Sequence, residues 1–312
     1  MMQSHNDVHH LVSAPVVVGV DGPASDAALD WAADLALRRG RELRIVHGLD
    51  LAGVVARYGE HDARVPMLRE TVRARGAAVV ERAARRVGEQ APGSRVSTEV
   101  SESGPAELLV GESARAYRLV LGHRSASGLV GHLGSTLVSV ASHGRGAVVV
   151  VRPDAGGESW VRRSGPVVVG IDGGPVSEAA VAAAFEEASE RGSELIAVHV
   201  WSERDLGRFA GTSGPLGPVA DFRELESEIV GERLAGWQEK YPEVVVVRRL
   251  YPADVVATLQ HWSQSAQLMV VGSRGRGGFL GLLLGSTSNS LVQHAQCPVM
   301  VVHPVESQPR AR

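Results

Sequence analysis

Cysteine is nearly missing from this chain of 312 residues: Cys297 is the only one. That excludes an internal disulfide and any Cys-based metal cluster, and it fits a reducing compartment. Cys297 precedes Pro298 and the apolar run Val299–Val302, so it reads as a small buried thiol beside a strand. Lysine is equally scarce. Lys240 stands alone, the remaining basic residues are arginine, and the net charge is only −3, which points to neither a nucleic-acid surface nor an acidic tail. No apolar run approaches the ~18 residues of a membrane span, and the N-terminus is polar and His-bearing rather than basic then apolar. A soluble, cytoplasmic protein without nucleic-acid or membrane partners is expected. Two nucleotide signatures are missing as well. There is no G-x-x-x-x-G-K-[ST] loop, and no G-x-G-x-x-G follows the first apolar run.

What the chain does contain is a repeat. Pro15–Gly22 reads Pro-Val-Val-Val-Gly-Val-Asp-Gly and Pro166–Gly173 reads Pro-Val-Val-Val-Gly-Ile-Asp-Gly. Further pairs follow in the same order at nearly constant spacing: Gly40 with Gly192, Val46-His47 with Val198-His199, Gly122 with Gly272, Leu133–Thr136 with Leu284–Thr287, and Pro153 with Pro304. A period this long indicates two copies of one domain rather than a solenoid. The boundaries predicted are a tail over 1–14, a first domain over 15–152, a Gly- and Ser-rich linker over 153–165, a second domain over 166–304 and a tail over 305–312.

Each copy alternates short β-branched runs with helical spacing. In the first, strands are expected near Val16–Val20, Leu43–His47, Val96–Val100, Leu119–Leu121 and Val148–Val151. The first helix is capped by Ser25 or Asp26 and stopped by Gly40, and a long helix covers Met67–Val87. In the second, strands are expected near Val167–Ile171, Leu195–Val200, Val244–Arg248, Leu268–Val271 and Val299–Val302. Five strands alternating with helices make an α/β fold, two tandem doubly wound five-stranded parallel sheets with strand order 3-2-1-4-5.

The most informative stretch is Leu268–Thr287, an apolar run ending at Gly272, six glycines from Gly272 through Gly285, and then Ser286-Thr287 opening a helix. Glycines reach positive φ and let backbone N–H groups converge on an anion, and a helix N-terminus adds unpaired N–H groups and a positive dipole end. This outlines a phosphate cradle without a lysine. Arg274 and Arg276 are either phosphate partners or solvated loop charges. Strand order 3-2-1-4-5 makes the first and fourth strands neighbours where the order reverses, so Asp172 should face Gly272 across one crevice. Alone, Asp172 reads equally as an Asx-turn residue.

These residues carry a resemblance. Gly272-x2-Gly275-x9-Gly285-Ser286 is similar to the G-x2-G-x9-G-[ST] loop of the universal stress protein family, and both copies resemble its domain over nearly all of residues 15–304. The resemblance implies an adenine-nucleotide α-hydrolase-like fold and ATP, with any Mg2+ arriving on the nucleotide. It implies Asp172 and Val200 at the adenine and ribose end, Val271 and Gly272 at the ribose, and Gly275, Gly285, Ser286 and Thr287 at the phosphates, and Gly170 and Arg274 join them as candidate nucleotide-binding residues. It also implies pairing through the last strand, a family dimer fused into one chain and open to further self-association.

The first copy keeps Asp21, Gly122, Gly134 and Ser135, but Ser125 stands in place of Gly275, Gly48 in place of Val200, and the loop is one residue shorter. One good site in the second copy, and an altered or empty one in the first, is expected. Ser286 reads as an N-cap rather than a nucleophile, since no G-x-S-x-G elbow is present. His47 and His199 read as core or crevice-wall histidines, and His123 and His132 as loop histidines beside the first crevice. Arg64, Arg69, Arg73, Arg75, Arg82, Arg85 and Arg86 crowd one long helix, and Asp221, Glu224, Glu226, Glu228 and Glu232 the other. Solvated faces are the simpler account of them, and docking between molecules the sharper one. No catalytic residue and no dedicated metal cage is assigned. The function expected is a nucleotide-binding regulatory protein, not an enzyme beyond slow ATP hydrolysis, with an interaction scaffold holding a vestigial site as the alternative.

Overall fold

The computed structural model describes residues 13–123, 135–152, 161–172, 174–201, 219–275 and 284–304. Contacts divide the chain into two units, one ending at Val161 and the other beginning at Arg162.

The first unit runs β1 (Val16–Gly19), a 3-10 turn (Pro23–Ser25), α1 (Asp26–Arg38), β2 (Leu43–Gly48), α2 (Leu51–Tyr58), α3 (Val65–Gln90), β3 (Val96–Ser101), α4 (Pro105–Ser113), β4 (Arg118–Gly122), α5 (Ser135–His143) and β5 (Ala147–Val151). The second runs β6 (Val167–Ile171), α6 (Pro175–Arg191), β7 (Leu195–Trp201), α7 (Val219–Lys240), β8 (Val246–Pro252), α8 (Val255–Ser263), β9 (Leu268–Gly272), α9 (Ser286–His294) and β10 (Val299–Val302).

Every strand pairing within a unit is parallel. In the first, β1 lies between β2 (Val16 opposite Leu43) and β4 (Val16 opposite Arg118), with β3 beyond β2 and β5 beyond β4. In the second, β6 lies between β7 (Val167 opposite Leu195) and β9 (Val167 opposite Leu268), with β8 and β10 outside them. Both units therefore have the expected order 3-2-1-4-5, reversing between the first and fourth strands. Val16–Val18 and Val167–Val169 are fully buried because helices cover both faces of the central strands, so these runs carry no polar alternation.

Helix ends follow local chemistry. Gly192 closes α6 in the left-handed conformation at φ 57°, where a side chain would be strained. At α1 the expected capping is not found: Ser25 occupies the N-cap position but its hydroxyl makes no cap bond, because it is turned toward Asp21. Two further expectations are corrected. The segment between β2 and the long helix, where no element was expected, contains α2, whose N-cap Asp50 accepts a hydrogen bond from the Gly53 N–H at 2.9 Å. β8 starts two residues later than the Val244 expected, because the Val244 N–H bonds the Tyr241 carbonyl at 3.1 Å and so completes the turn after α7.

Ion pairs take up much of the α3 charge. Arg82 grips Asp26 through two bonds of 2.8 and 2.7 Å, and Arg86 grips Asp30 in the same way. Arg73 pairs with Glu102, Arg64 with Asp62 and Arg85 with Glu81. On α7, Glu228 and Glu232 are exposed; the side chains of Asp221, Glu224 and Glu226 lie outside the described residues. Among the described residues no helix is long and apolar enough to cross a membrane.

Candidate functional site

The register that sets Val169 against Val270 carries the ends of β6 and β9 forward side by side, so Asp172 emerges next to the start of the glycine loop. Two bonds fix this corner. The Asp172 N–H donates to the Ser177 Oγ at 3.3 Å, and the Gly174 N–H donates to Asp172 Oδ1 at 2.9 Å, the Asx-turn. The second carboxylate oxygen, Oδ2, lies 2.7 Å from where a Cβ on Gly275 would stand. Turn geometry and contact with the glycine loop are thus both properties of Asp172, not alternatives.

The loop is closed at its base. The Ser273 N–H donates to the Val302 carbonyl at 2.7 Å, and the Gly285 N–H donates to the Ser273 carbonyl at 2.8 Å. Ser288 anchors α9 from the other side, its hydroxyl donating to the Gly272 carbonyl at 2.6 Å. Gly272 itself is hemmed in by α6, since a Cβ there would meet the Val176 Cγ1 at 3.0 Å.

Two expectations about this loop are corrected. Gly285 has φ −65°, and neither Gly272 nor Gly275 is in the left-handed region, so what Gly275 contributes is the missing Cβ, not positive φ. Gly285, not Ser286, is the N-cap of α9, and no side chain caps that helix. Ser286 is exposed and begins the first turn, whose first intrahelical bond runs from the Asn289 N–H to the Gly285 carbonyl at 2.9 Å. The leading N–H groups of α9 are the orphans every helix start leaves.

The remaining predicted residues divide. Arg274 is exposed beside the loop, and Thr287 and Val200 are half-buried. Gly170 and Val271 serve packing: a Cβ on Gly170 would meet the Leu259 Cδ1 at 3.2 Å and the Val271 Cγ1 at 3.3 Å. Arg276 lies outside the described residues. His199 is buried and its Nδ1 lies 2.7 Å from the Ile171 carbonyl, an acceptor, so Nδ1 carries the proton and donates. Within reach of the Arg274 charge, which adds to the effect, burial lowers the pKa of His303 to about 4. Burial likewise pushes the Cys297 thiol up to about 12, which makes it unreactive.

The first unit repeats the corner with different details. The Asp21 N–H donates to the Ser25 Oγ at 3.0 Å, and the Ser25 hydroxyl donates back to Asp21 Oδ1 at 2.8 Å. His47 Nδ1 donates to the Val20 carbonyl at 2.7 Å, matching His199. The His123 N–H donates to the Val151 carbonyl at 2.7 Å, matching Ser273. Here the crevice is a cavity of about 350 Å³. Val46, Pro105, Leu109, Leu121 and Leu137 form apolar wall, and Asp21, His47, His123 and Thr136 line the rest. Gly122 lies at its edge; Ser135 opens α5, while Gly134, Ser125 and His132 lie outside the described residues.

Sequence reasoning missed the hydroxyl that steadies each aspartate. Ser25 and Ser177 follow Asp21 and Asp172 at nearly the same distance in the two copies, and that match was the available signal. Ser288 had none, because the first copy places Leu137 there.

Two doubly wound α/β domains in tandem, each with an aspartate at the end of its first strand and a glycine at the end of its fourth, define the class. The model of the universal stress protein family matches residues 14–152 and again 164–303. A universal stress protein of Mycolicibacterium smegmatis is 40% identical over 296 residues, 93% of this chain and 97% of the relative. One from Mycobacterium tuberculosis is 39% identical over 303 residues, 92% of this chain and 96% of the relative. The crystal structure of a universal stress protein from Archaeoglobus fulgidus superposes with a TM-score of 0.63 at 18% identity, over 92% of this chain and 98% of that one. The chain belongs to the universal stress protein family, with two copies of its domain.

Proposed function

We propose that this protein is a nucleotide-responsive regulator, holding ATP in the crevice of its second unit and using occupancy to set its conformation or its choice of partner. The observation that carries the reading is the approach of Asp172 Oδ2 to Gly275, 2.7 Å from where a Cβ would stand, which sets the carboxylate against the glycine loop. The leading N–H groups of α9 and the exposed Arg274 supply positive potential for phosphates. Asp172 is then placed to accept hydrogen bonds from an amine or ribose hydroxyls, and Mg2+ would arrive with the phosphates. The role is regulatory, with hydrolysis at most slow, and the cytoplasm is its proposed setting.

Denaturing the purified protein and chromatographing the released small molecules tests this. About one adenine nucleotide per chain is expected, and ATP at 100 times its Kd should stabilise the fold by about 2.7 kcal/mol. Release of none, with thermal stability unmoved by added ATP, would refute the proposal.

A further inference from the structure

The ladder between β9 and β10 runs one step past both strands. Val302 lies opposite Gly272, and the Ser273 N–H still donates to the Val302 carbonyl at 2.7 Å, so Ser273 and His303 are the next opposed pair. Opposed residues of parallel strands send their side chains to the same face of the sheet. Both are interior: Ser273 is 0% exposed and His303 6%. The Ser273 Oγ and the His303 Nε2 are buried atoms, and neither makes a hydrogen bond to another group among the described residues. Leaving either of them unpaired in the interior is costly, and two such atoms on one face of neighbouring strands are satisfied together by a single bridging molecule.

The chemistry of the pair narrows what that molecule is. Among the described residues no cluster of His, Cys, Asp or Glu could hold a metal ion, and the charge of Arg274, which reaches His303, opposes a cation here. Burial keeps the imidazole neutral at ordinary pH, so neither side chain offers a full charge to offset the lost hydration of an ion. A neutral imidazole nitrogen and a hydroxyl suit a small uncharged partner that can both donate and accept, which water does. The first unit carries no equivalent: the matching ladder bond, from the His123 N–H to the Val151 carbonyl, puts His123 and Arg152 at these two positions.

We infer that Ser273 Oγ and His303 Nε2 form a binding site for one buried water molecule, which ties the root of the glycine loop to the chain leaving β10. The Ser273 carbonyl accepts the Gly285 N–H at 2.8 Å, so the bridge also steadies the N-cap of α9. The site does not depend on ATP occupying the crevice.

Crystals of the full chain grown without nucleotide, with a bromide-soaked set beside them, test this directly. One density peak within hydrogen-bond distance of both Ser273 Oγ and His303 Nε2, with no anomalous signal in the bromide set, is expected. Urea melts give a second reading in solution. Ser273→Ala should lower the folding equilibrium constant about 5- to 10-fold, the worth of about one hydrogen bond, because the water loses an anchor. Removing a hydroxyl that bonds nothing would instead leave stability unchanged or raise it. In a His303→Phe background, where the bridge is already broken, the same change should cost less than about twofold. The inference is overturned if the place holds no density, a protein group or a bromide ion, if the two side chains bond each other directly, if Ser273→Ala is as stable as the wild type, or if its cost is the same in both backgrounds.

Discussion

Gly275→Ala is the smallest change that addresses the second-unit site. A methyl group placed there stands 2.7 Å from Asp172 Oδ2, so the carboxylate must withdraw by roughly 0.5–1 Å to restore ordinary contact. Withdrawal stretches the 2.9 Å bond that Oδ1 accepts from the Gly174 N–H, and a hydrogen bond to a charged group is worth about 1.5–3 kcal/mol. The backbone contributes no strain, because Gly275 is not in the left-handed region. Since the atom displaced is the end of a side chain, folding stability should fall by only about 1 kcal/mol, with the larger effect on binding. The displaced Asp172 would no longer meet the nucleotide, so ATP affinity should drop roughly 10- to 100-fold, the worth of one charge-assisted hydrogen bond to the ligand expressed as a ratio. Gly285→Ala is the control. Its Cβ would lie 3.5 Å from the Ser273 carbonyl oxygen, an ordinary contact, at φ −65°, so only the N-cap preference for glycine is lost, about 1 kcal/mol or less. Calorimetric titration of ATP into both variants, with urea melts to separate folding from binding, provides the comparison. Equal losses, or a greater loss at Gly285, would refute the reasoning.

Two pH-linked predictions follow from the buried ionisable groups. Hydrogen bonding from Arg82, opposed by burial and helped by the charge of Arg86, holds the Asp26 carboxyl below the ordinary carboxylate range. A depressed folded-state pKa contributes stability at neutral pH that is lost as pH falls below ~4. Asp26→Asn should cost about 1–2 kcal/mol in urea melts at pH 7, scaled for an Arg82 side chain that is 38% exposed, and the gap from wild type should narrow at pH 3. A gap independent of pH would show that the pair is not the source. For His303, lowered to about 4, the unfolded chain takes up a proton between pH ~6.5 and that value while the folded chain does not, so wild-type stability should fall by up to ~3 kcal/mol as pH drops across the window. His303→Phe should flatten that part of the profile, and an unchanged slope would assign it to other groups.

The fold was readable in the sequence where one periodicity dominated. Val16–Val18 and Val167–Val169 have no polar alternation because both faces of their strands are covered, and the repeat fixed which glycine and aspartate would share a crevice. Contacts between distant residues were not readable. Arg82 and Arg86 find Asp26 and Asp30, 56 residues away, only because α3 packs on α1. The role of Gly275 is of the same kind: the motif marks a glycine, but only the folded corner shows that an approaching carboxylate, rather than a left-handed φ, excludes the Cβ. The first-unit cavity depends likewise on Pro105 pressing against Gly48, a pair that no local pattern joins.

The bond from the Gly285 N–H to the Ser273 carbonyl has a consequence for how such a chain can be altered. It ties Gly285, the N-cap of α9, to Ser273, which directly follows β9, so α9 takes a footing from the end of β9. A backbone change at either residue would therefore be felt both at the end of β9 and at the start of α9.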